Sequence, residues 1–149
     1  MPLQTARPQE YDQLLTEKIR RWQPVFSALG GPPASIIPSP KTGYRLRAEF
    51  RMWHEGDDIH YVMFAPDRPK EPIIITEFPI ASRVIQEVME PLRARLRENQ
   101  ILRRKLFQIE FLSTLSGDLL ITLIYHRPLD ESWRQAASTI SDEIEVPII

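Results

Sequence analysis

Polar and apolar positions alternate along residues 44–54. This period of two predicts a half-buried strand, because successive side chains of a strand point to opposite faces. The buried face would carry Tyr44, Leu46, Ala48, Phe50 and Met52. The exposed face would be basic with an aromatic residue at its end, and it would carry Arg45, Arg47, Glu49, Arg51 and Trp53.

A hairpin is predicted directly after this strand. Residues 55–58 read Glu-Gly-Asp-Asp, which is a turn signal, and residues 59–65 have the apolar content of a returning strand. Pro66 and Pro69 are expected to close the hairpin, because proline cannot donate to a ladder of hydrogen bonds. Residues 73–76 predict a short third strand.

The second half of the chain predicts another hairpin. Residues 106–114 and 119–126 have the composition of strands, and the four residues between them read Leu-Ser-Gly-Asp, a second turn signal. Residues 146–149 begin one more extended segment.

Apolar residues spaced three and four apart predict three helices. The first covers residues 9–29, and Pro24 is expected to kink it or to split its last turn. The second covers residues 80–98, where Pro91 predicts a kink or a fresh start. The third begins after Asp130, which has the character of an N-cap.

The predicted order is α-β-β-β-α-β-β-α-β, an α+β fold in which an antiparallel sheet of two hairpins packs with about three helices. The length of 149 residues suits a single domain. No apolar run approaches the roughly 20 residues of a membrane span, and residues 1–10 lack the apolar core of a signal peptide. We therefore expect a cytoplasmic protein with no membrane partner.

The chain contains no Cys. This excludes disulfides, Cys-ligated zinc, iron–sulfur clusters and every thiol nucleophile within these 149 residues. The sequence stops on the apolar residues 146–149 without a polar tail, so we expect it to be cut from something longer.

The near-zero net charge of −1 conceals segregated charge, and 15 of the 19 basic residues are Arg. Residues 41–54 carry +3, residues 93–105 carry +5 and residues 130–145 carry −4. Arg suits forked phosphate contacts and stacking on bases, so a basic face for a polyanion is one interpretation. An ordinary solvated surface is the more common one.

The densest cluster of acids and histidines lies between His54 and His60 at the first hairpin turn. A divalent-metal site is one interpretation of it. With a loop of two or four residues, however, His54 pairs with Ile59 and Trp53 pairs with His60, which puts the imidazoles on opposite faces of the sheet. A polar turn is therefore the better interpretation, and we expect no metal.

No catalytic centre is visible in the sequence. The mid-strand acids Glu49 and Glu110 have Arg neighbours, so salt-bridged surface acids are favoured over a catalytic pair. The chain has no G-x-S-x-G elbow and neither of the two glycine-rich phosphate loops. We therefore expect no catalytic residue and no cofactor in this chain.

One constellation remains. Phe107 follows the basic cluster Arg103, Arg104 and Lys105, and the second hairpin would place His126 at the same sheet end. An aromatic ring and an imidazole beside several cations can form a stacking platform for unpaired bases. From the residues alone, the alternative that Phe107 belongs to the core is favoured.

Three long motifs in the chain closely resemble the bacterial tRNA (uracil-5-)-methyltransferases. They are SPKTGYRLRAEFRMWHEGDD at 39–58, KLFQIE at 105–110 and YHRPLDESWRQ at 125–135. The resemblance extends over residues 11–149, and it covers the RNA-binding portion that precedes a Rossmann-like catalytic domain in this family. It implies that residues 1–149 form one RNA-binding domain without the catalytic half.

The family transfers a methyl group from S-adenosylmethionine to C5 of a uridine in the tRNA T-loop, and it also acts on transfer-messenger RNA. The resemblance implies that Phe107 and His126 stack on T-loop bases, and that Arg51 with neighbouring arginines holds the RNA backbone. The family's Cys nucleophile and cofactor loop have no counterpart here, so the chain alone is expected to be inactive. The expected RNA-binding residues are Arg45, Arg47, Arg51, Phe107, His126, Arg103, Arg104 and Lys105.

Two alternatives stay open at this point. One is a free-standing, non-catalytic RNA-binding protein of the same ancestry, and it would bind tRNA and do nothing else. The other is a protein-interaction module whose partner is a separate catalytic chain. That module would expose an apolar surface around residues 146–149 and would dimerise.

Overall fold

A computed structural model describes residues 7–149, which contain five strands in one antiparallel sheet. The strands are β1 (Arg47–Glu55), β2 (Asp58–Ala65), β3 (Arg68–Ile74), β4 (Leu106–Ser113) and β5 (Leu119–Tyr125). Their spatial order is β3-β2-β1-β4-β5, so the two predicted hairpins meet where β1 pairs with β4. The α+β class and the antiparallel sheet are confirmed.

The described part of the chain has four α-helices, one more than predicted. They are α1 (Tyr11–Ala28), α2 (Arg83–Glu98), α3 (Gln100–Arg103) and α4 (Glu131–Ile144), and a single 3-10 turn precedes α1. The additional helix, α3, is one turn long and is capped by the Asn99 side chain, which accepts from two backbone N–H groups. Asp130 caps α4, as predicted, and its side chain accepts from the Trp133 N–H.

The hydrophobic core lies between one face of the sheet and helices α2, α3 and α4. β1 contributes Ala48, Phe50 and Met52 to it, while Glu49 and Arg51 between them are exposed, which confirms the predicted alternation within β1. Tyr44, which was predicted on the buried face, is exposed because it precedes the strand. The ring of Phe50 packs against three further aromatic rings, those of Tyr61, Phe78 and Phe111. Such aromatic packing stabilises the fold both through the burial of apolar ring surface and through edge-to-face contacts between the rings.

Two strand boundaries differ from the prediction. β1 begins at Arg47 rather than at residue 44, because Arg45 pairs instead with Ala81 in an isolated bridge. β3 is Arg68–Ile74 rather than residues 73–76, and it runs through Pro69, which was expected to close the hairpin before the third strand. The physical reason is that β3 lies at the edge of the sheet, so the N–H that proline lacks costs no hydrogen bond between strands.

Neither internal proline divides its helix. α1 continues past Pro24 to Ala28, and α2 continues past Pro91 to Glu98. α2 survives because tertiary packing outweighs the local cost of proline. Its buried side chains are Ile85, Val88, Met89, Leu92 and Leu96.

α1 packs differently from the other helices. None of its 18 described residues is buried, and its aromatic residues Trp22 and Phe26 line one pocket with Pro32 and Pro33 of the linker that follows. The Tyr11 hydroxyl also lies 3.1 Å from the Ser39 hydroxyl. The second face of the sheet is open, since Arg47, Glu49 and Arg51 of β1 are all exposed there.

The last residues of the chain are extended, as predicted. Ile148 forms a parallel bridge with Ile121 of β5, and the Leu123 N–H donates to the Ile149 carbonyl at 2.8 Å. Within residues 7–149 no helix is long and apolar enough to cross a membrane. The expectation about a signal peptide in residues 1–10 falls mostly on residues outside the described part.

A buried hydroxyl provides a test of this packing. The Tyr61 hydroxyl donates to the Met89 carbonyl of α2 at 2.9 Å, and burial raises the pKa of Tyr61 well above its usual range. We expect Tyr61→Phe to lower the free energy of unfolding by about 1 kcal/mol, since it leaves that acceptor without this partner. Tyr44→Phe, at a half-exposed ring, is the matched control and should leave the urea midpoint unchanged. Equal midpoints for the two variants would contradict this role.

Candidate nucleic-acid interface

Three side chains form a stack on the open face of the sheet. The rings of Phe107 and His126 are parallel to within 28°, with their centroids 3.7 Å apart. The guanidinium carbon of Arg51 lies 3.5 Å from the centroid of the Phe107 ring. Two groups this close to one ring centre must lie on its opposite faces. β1, β4 and the residue after β5 therefore each contribute one layer.

A β-bulge turns Phe107 toward the open face. Leu106 and Ile109 both point into the core, so Phe107 and Gln108 share the outward side between them, and the pairing of β4 with β5 shifts register there. A bulge of this kind re-aims a side chain. The preceding residue, Lys105, has a φ of 57°, a left-handed conformation that costs a non-glycine residue about 1–2 kcal/mol.

Three consecutive carbonyls before Phe107 accept hydrogen bonds from other parts of the sheet. Arg127 Nε donates to the Arg104 carbonyl at 3.0 Å, and the His126 N–H donates to the Lys105 carbonyl at 3.3 Å. The ring atom Nε2 of His54 lies 2.8 Å from the Leu106 carbonyl. These carbonyl contacts of His54 and Arg127 were not predicted, because each contact joins residues that are distant in the chain.

Tyr125, the last residue of β5, is held in place by contacts with helices α3 and α4. Its hydroxyl donates to the Leu102 carbonyl at 2.7 Å, and its ring lies 5.6 Å from that of Trp133. Burial raises the pKa of Tyr125 to about 12, so this donor keeps its proton at neutral pH. On the α4 side, the Ser132 hydroxyl and the Trp133 N–H hold the pKa of Asp130 below its usual value.

The arginines predicted on the β1 face have different environments. Arg47 lies between two carboxylates, with its Nη2 atom 2.9 Å from Glu49 Oε1 and 3.1 Å from Glu110 Oε2. Glu49 and Glu110 are paired directly across β1 and β4, where like charges repel. Arg47 therefore neutralises two opposed acids, which confirms the prediction of salt-bridged surface acids. Arg45 is exposed, and its Nε donates to the Arg47 carbonyl at 2.9 Å.

Ion pairs account for most of the basic cluster at 93–105. Arg103 is the clearest case. Its guanidinium donates to Asp57 and to the Arg97 carbonyl, and only 18% of the side chain is exposed. Arg104 and Lys105 are exposed, and neither forms an ion pair with any residue from 7 to 149. The other three arginines in ion pairs are Arg93, Arg95 and Arg97.

The first hairpin turn has the predicted register. Trp53 pairs with His60 and His54 pairs with Ile59, so the two imidazoles lie on opposite faces. The Ile59 N–H donates to Asp58 and holds the pKa of that carboxyl below its usual value. Asp58 also pairs with Arg93 of α2 at 3.1 Å, which ties the turn to the helix layer.

The fold and this surface define an α+β domain with one sheet face covered by helices and one open face that presents stacked rings among arginines. The chain belongs to the tRNA (uracil-5-)-methyltransferase family, whose model matches residues 10–149. The family resemblance expected from the sequence motifs is thus confirmed.

Relatives from several bacteria are similar over nearly the whole chain. A tRNA/tmRNA (uracil-C(5))-methyltransferase of Aromatoleum aromaticum is 50% identical over 149 residues, which are 100% of this chain and 40% of that protein. A tRNA/tmRNA (uracil-C(5))-methyltransferase of Pseudomonas entomophila is 47% identical over 142 residues, or 95% of this chain and 39% of that protein. The chain thus spans about two fifths of the length of these relatives.

The structure brings together part of the predicted set. Arg51, Phe107 and His126 are in contact, and Arg104 and Lys105 lie three and two residues before Phe107 in the chain. Arg47 and Arg103 are instead held in ion pairs.

The neighbours Arg103 and Arg104 provide a matched test of which cations remain available to bind phosphate. We expect Arg104→Gln to leave stability unchanged and to lower the log–log salt slope of binding to an RNA hairpin by about 0.7–0.9. Arg103→Gln should keep the slope and lower the free energy of unfolding by about 1–2 kcal/mol, because it removes the contacts with Asp57 and the Arg97 carbonyl. Salt titrations and urea unfolding measure both quantities, and the reverse pattern would contradict this assignment.

Proposed function

We propose that this chain is the tRNA-recognition domain of an S-adenosylmethionine-dependent tRNA (uracil-5-)-methyltransferase that makes 5-methyluridine in the tRNA T-loop. Membership of the family supports the proposal, as do relatives that are tRNA/tmRNA (uracil-C(5))-methyltransferases. In this proposal residues 1–149 act as one RNA-binding domain of a cytoplasmic enzyme, and the catalytic half lies outside them. Its partners are the T-arm of tRNA and the corresponding part of transfer-messenger RNA.

The stack of Arg51, Phe107 and His126 is the observation that carries this proposal. Its rings are held on an open sheet face, where an unpaired base can approach. Phe107 has both faces occupied, whereas His126 is exposed and can accept a base on its outer face. Stacking on protein rings compensates for base stacking lost when a loop nucleotide is turned out. A loop with unpaired bases is therefore the RNA feature that this surface suits best.

Exposed cations would hold the RNA backbone. Arg104 and Lys105 lie three and two residues before Phe107, and Arg45 lies two residues before β1, further from the stack. In this proposal they contact phosphates, as a sequence-independent complement to the base contacts. Arg47 and Arg103 contribute indirectly, by holding the strand face and the first hairpin turn in place.

The methyl donor binds elsewhere in this proposal. S-adenosylmethionine requires a nucleotide-binding loop, and the mechanism of the family requires a thiolate nucleophile. The 149 residues contain no glycine-rich cofactor loop and no Cys, so they supply neither of these two requirements.

A groove near the end of the chain supports a second candidate function, that of a protein-interaction module. It has a volume of about 600 Å³ and lies between α2, α4 and the β4–β5 turn. Apolar residues such as Val88 and Val146 line it, with Glu87 and Asp118 at its margin. Acidic residues repel RNA, so this groove suits a protein surface, and a separate catalytic chain would be its partner.

The stacking role makes a prediction about RNA shape. Phe107→Ala should weaken binding of a T-arm hairpin by ~1–3 kcal/mol, the value of one base–aromatic stack, with the salt slope unchanged, because the His126 ring that receives the base loses the ring it is stacked on. Binding of a blunt duplex of equal length should change little, because it offers no unpaired base. Titrations of both RNAs at several salt concentrations measure the difference.

Two controls accompany that experiment. Arg51→Ala removes a cation from the same stack, and both variants must keep the thermal melting transition of the parent chain. If Phe107→Ala melts the domain, or weakens hairpin and duplex equally, Phe107 is a core residue and the stacking role is wrong.

The proposed separation of RNA binding from catalysis makes a second prediction. The 149-residue chain should transfer no methyl group from labelled S-adenosylmethionine to a T-loop transcript, since it has no thiol to add to C6 of the uracil. A full-length relative under the same conditions is the positive control. Label incorporated by the chain above the level without protein would contradict the proposal.

A further inference from the structure

The three carbonyls that precede Phe107 are held from two separate directions. His54, near the end of β1, reaches the Leu106 carbonyl, and Arg127, just after β5, reaches the Arg104 carbonyl. The second guanidinium nitrogen of Arg127, Nη2, donates to the Ile101 carbonyl of α3 at 2.7 Å. Side chains from both neighbouring strands therefore fix the segment that leads into β4.

This segment adopts a conformation that needs such support. Lys105 is left-handed at φ 57°, and the bulge follows within two residues. Backbone conformations of this kind persist where surrounding contacts over-determine them. Any rotation of the peptides at 105 and 106 would swing the Phe107 ring away from Arg51 and His126.

The hydrogen bonds of Arg127 leave it little capacity for RNA. Its Nε, Nη1 and Nη2 atoms donate to three different backbone carbonyls, those of Arg104, Pro128 and Ile101. Its guanidinium carbon also lies 5.3 Å from the centroid of the Tyr125 ring. A phosphate ligand would need free, forked donors, so the contacts of Arg127 are those of a structural clamp.

We propose that His54 and Arg127 are positioning residues for RNA recognition, which hold the turn at Lys105 and the bulge so that Phe107 stays stacked between Arg51 and His126. The inference rests on the proposed function, because the stack matters for recognition only if it receives RNA bases. The ring of His54 can donate through Nε2 either as the neutral Nε2–H tautomer or as the imidazolium. The role therefore does not require a particular charge on His54.

The first part of the test uses the free chain and needs no RNA. In NMR spectra of the parent chain we expect strong nuclear Overhauser effects between the ring protons of Phe107 and His126. His54→Ala and Arg127→Lys should weaken them, because each removes a donor to the carbonyls before Phe107. His54→Gln, whose amide can still donate to the Leu106 carbonyl, should retain them. Arg134→Gln is the matched control at a solvent-exposed arginine of α4.

The second part of the test measures RNA binding. His54→Ala and Arg127→Lys should each weaken binding of a T-arm hairpin by about fivefold, the effect of losing one net hydrogen bond. Binding of a blunt duplex and the salt slope should remain those of the parent, and His54→Gln should restore hairpin binding. Arg127→Gln should also keep the slope, whereas a decrease of about 0.7–0.9 would identify Arg127 as a phosphate ligand.

The outcomes separate this inference from the proposed function. If the ring contacts survive in His54→Ala and Arg127→Lys, the positioning role is overturned, whatever the RNA data show. If the ring contacts weaken as expected but the parent chain binds hairpin and duplex equally, the proposed function fails and the clamp remains a structural fact. If His54→Ala unfolds, the folded variants His54→Gln and Arg127→Lys are compared instead. Loss of the ring contacts in Arg127→Lys but not in His54→Gln supports the positioning role. Retention of the ring contacts in both variants overturns it.

Discussion

One extra residue in β4 determines what the open face of the sheet displays. Regular alternation counted back from the buried Ile109 would turn Phe107 into the core and Leu106 toward solvent. The bulge reverses both orientations, so Leu106 is buried and the Phe107 ring stands between Arg51 and His126. The stack, the left-handed Lys105 and the carbonyl contacts of His54 and Arg127 all depend on this local break in register.

Ion pairs within the protein reduce the number of cations on the open face that could contact a ligand. The cluster at 93–105 looks like a basic surface in the sequence, yet its first three arginines and Arg103 all form ion pairs. Arg93 pairs with Asp58 of β2, Arg95 with Glu143 of α4 and Arg103 with Asp57 of the first turn, so these three connect different elements. Arg47 is likewise occupied by two glutamates. In the proposed function, the cations left for RNA are few, and Arg104 and Lys105 lie within three residues of Phe107, which would favour recognition of a local RNA shape over adhesion to any polyanion.

The sequence was most informative where local rules decide the structure. Alternation predicted the buried and exposed faces of β1, and the turn residues predicted the register that separates His54 from His60. The path of β3 through Pro69 was missed because only the assembled sheet makes that strand an edge. The bulge and the clamp by Arg127 were missed for a related reason: they join residues distant in the chain, and periodicity contains no information about such contacts.

The most direct test of the account is an NMR titration of the labelled chain with a T-arm hairpin. The measured quantities are the ring resonances of Phe107 and His126, the side-chain Nε resonance of Arg51 and the backbone resonances of all assigned residues. The account predicts that the largest shifts fall on those three side chains and on the adjoining residues 104–106. Shifts concentrated on the acidic α4 side of the molecule, with the three-layer stack unperturbed at saturation, would contradict it.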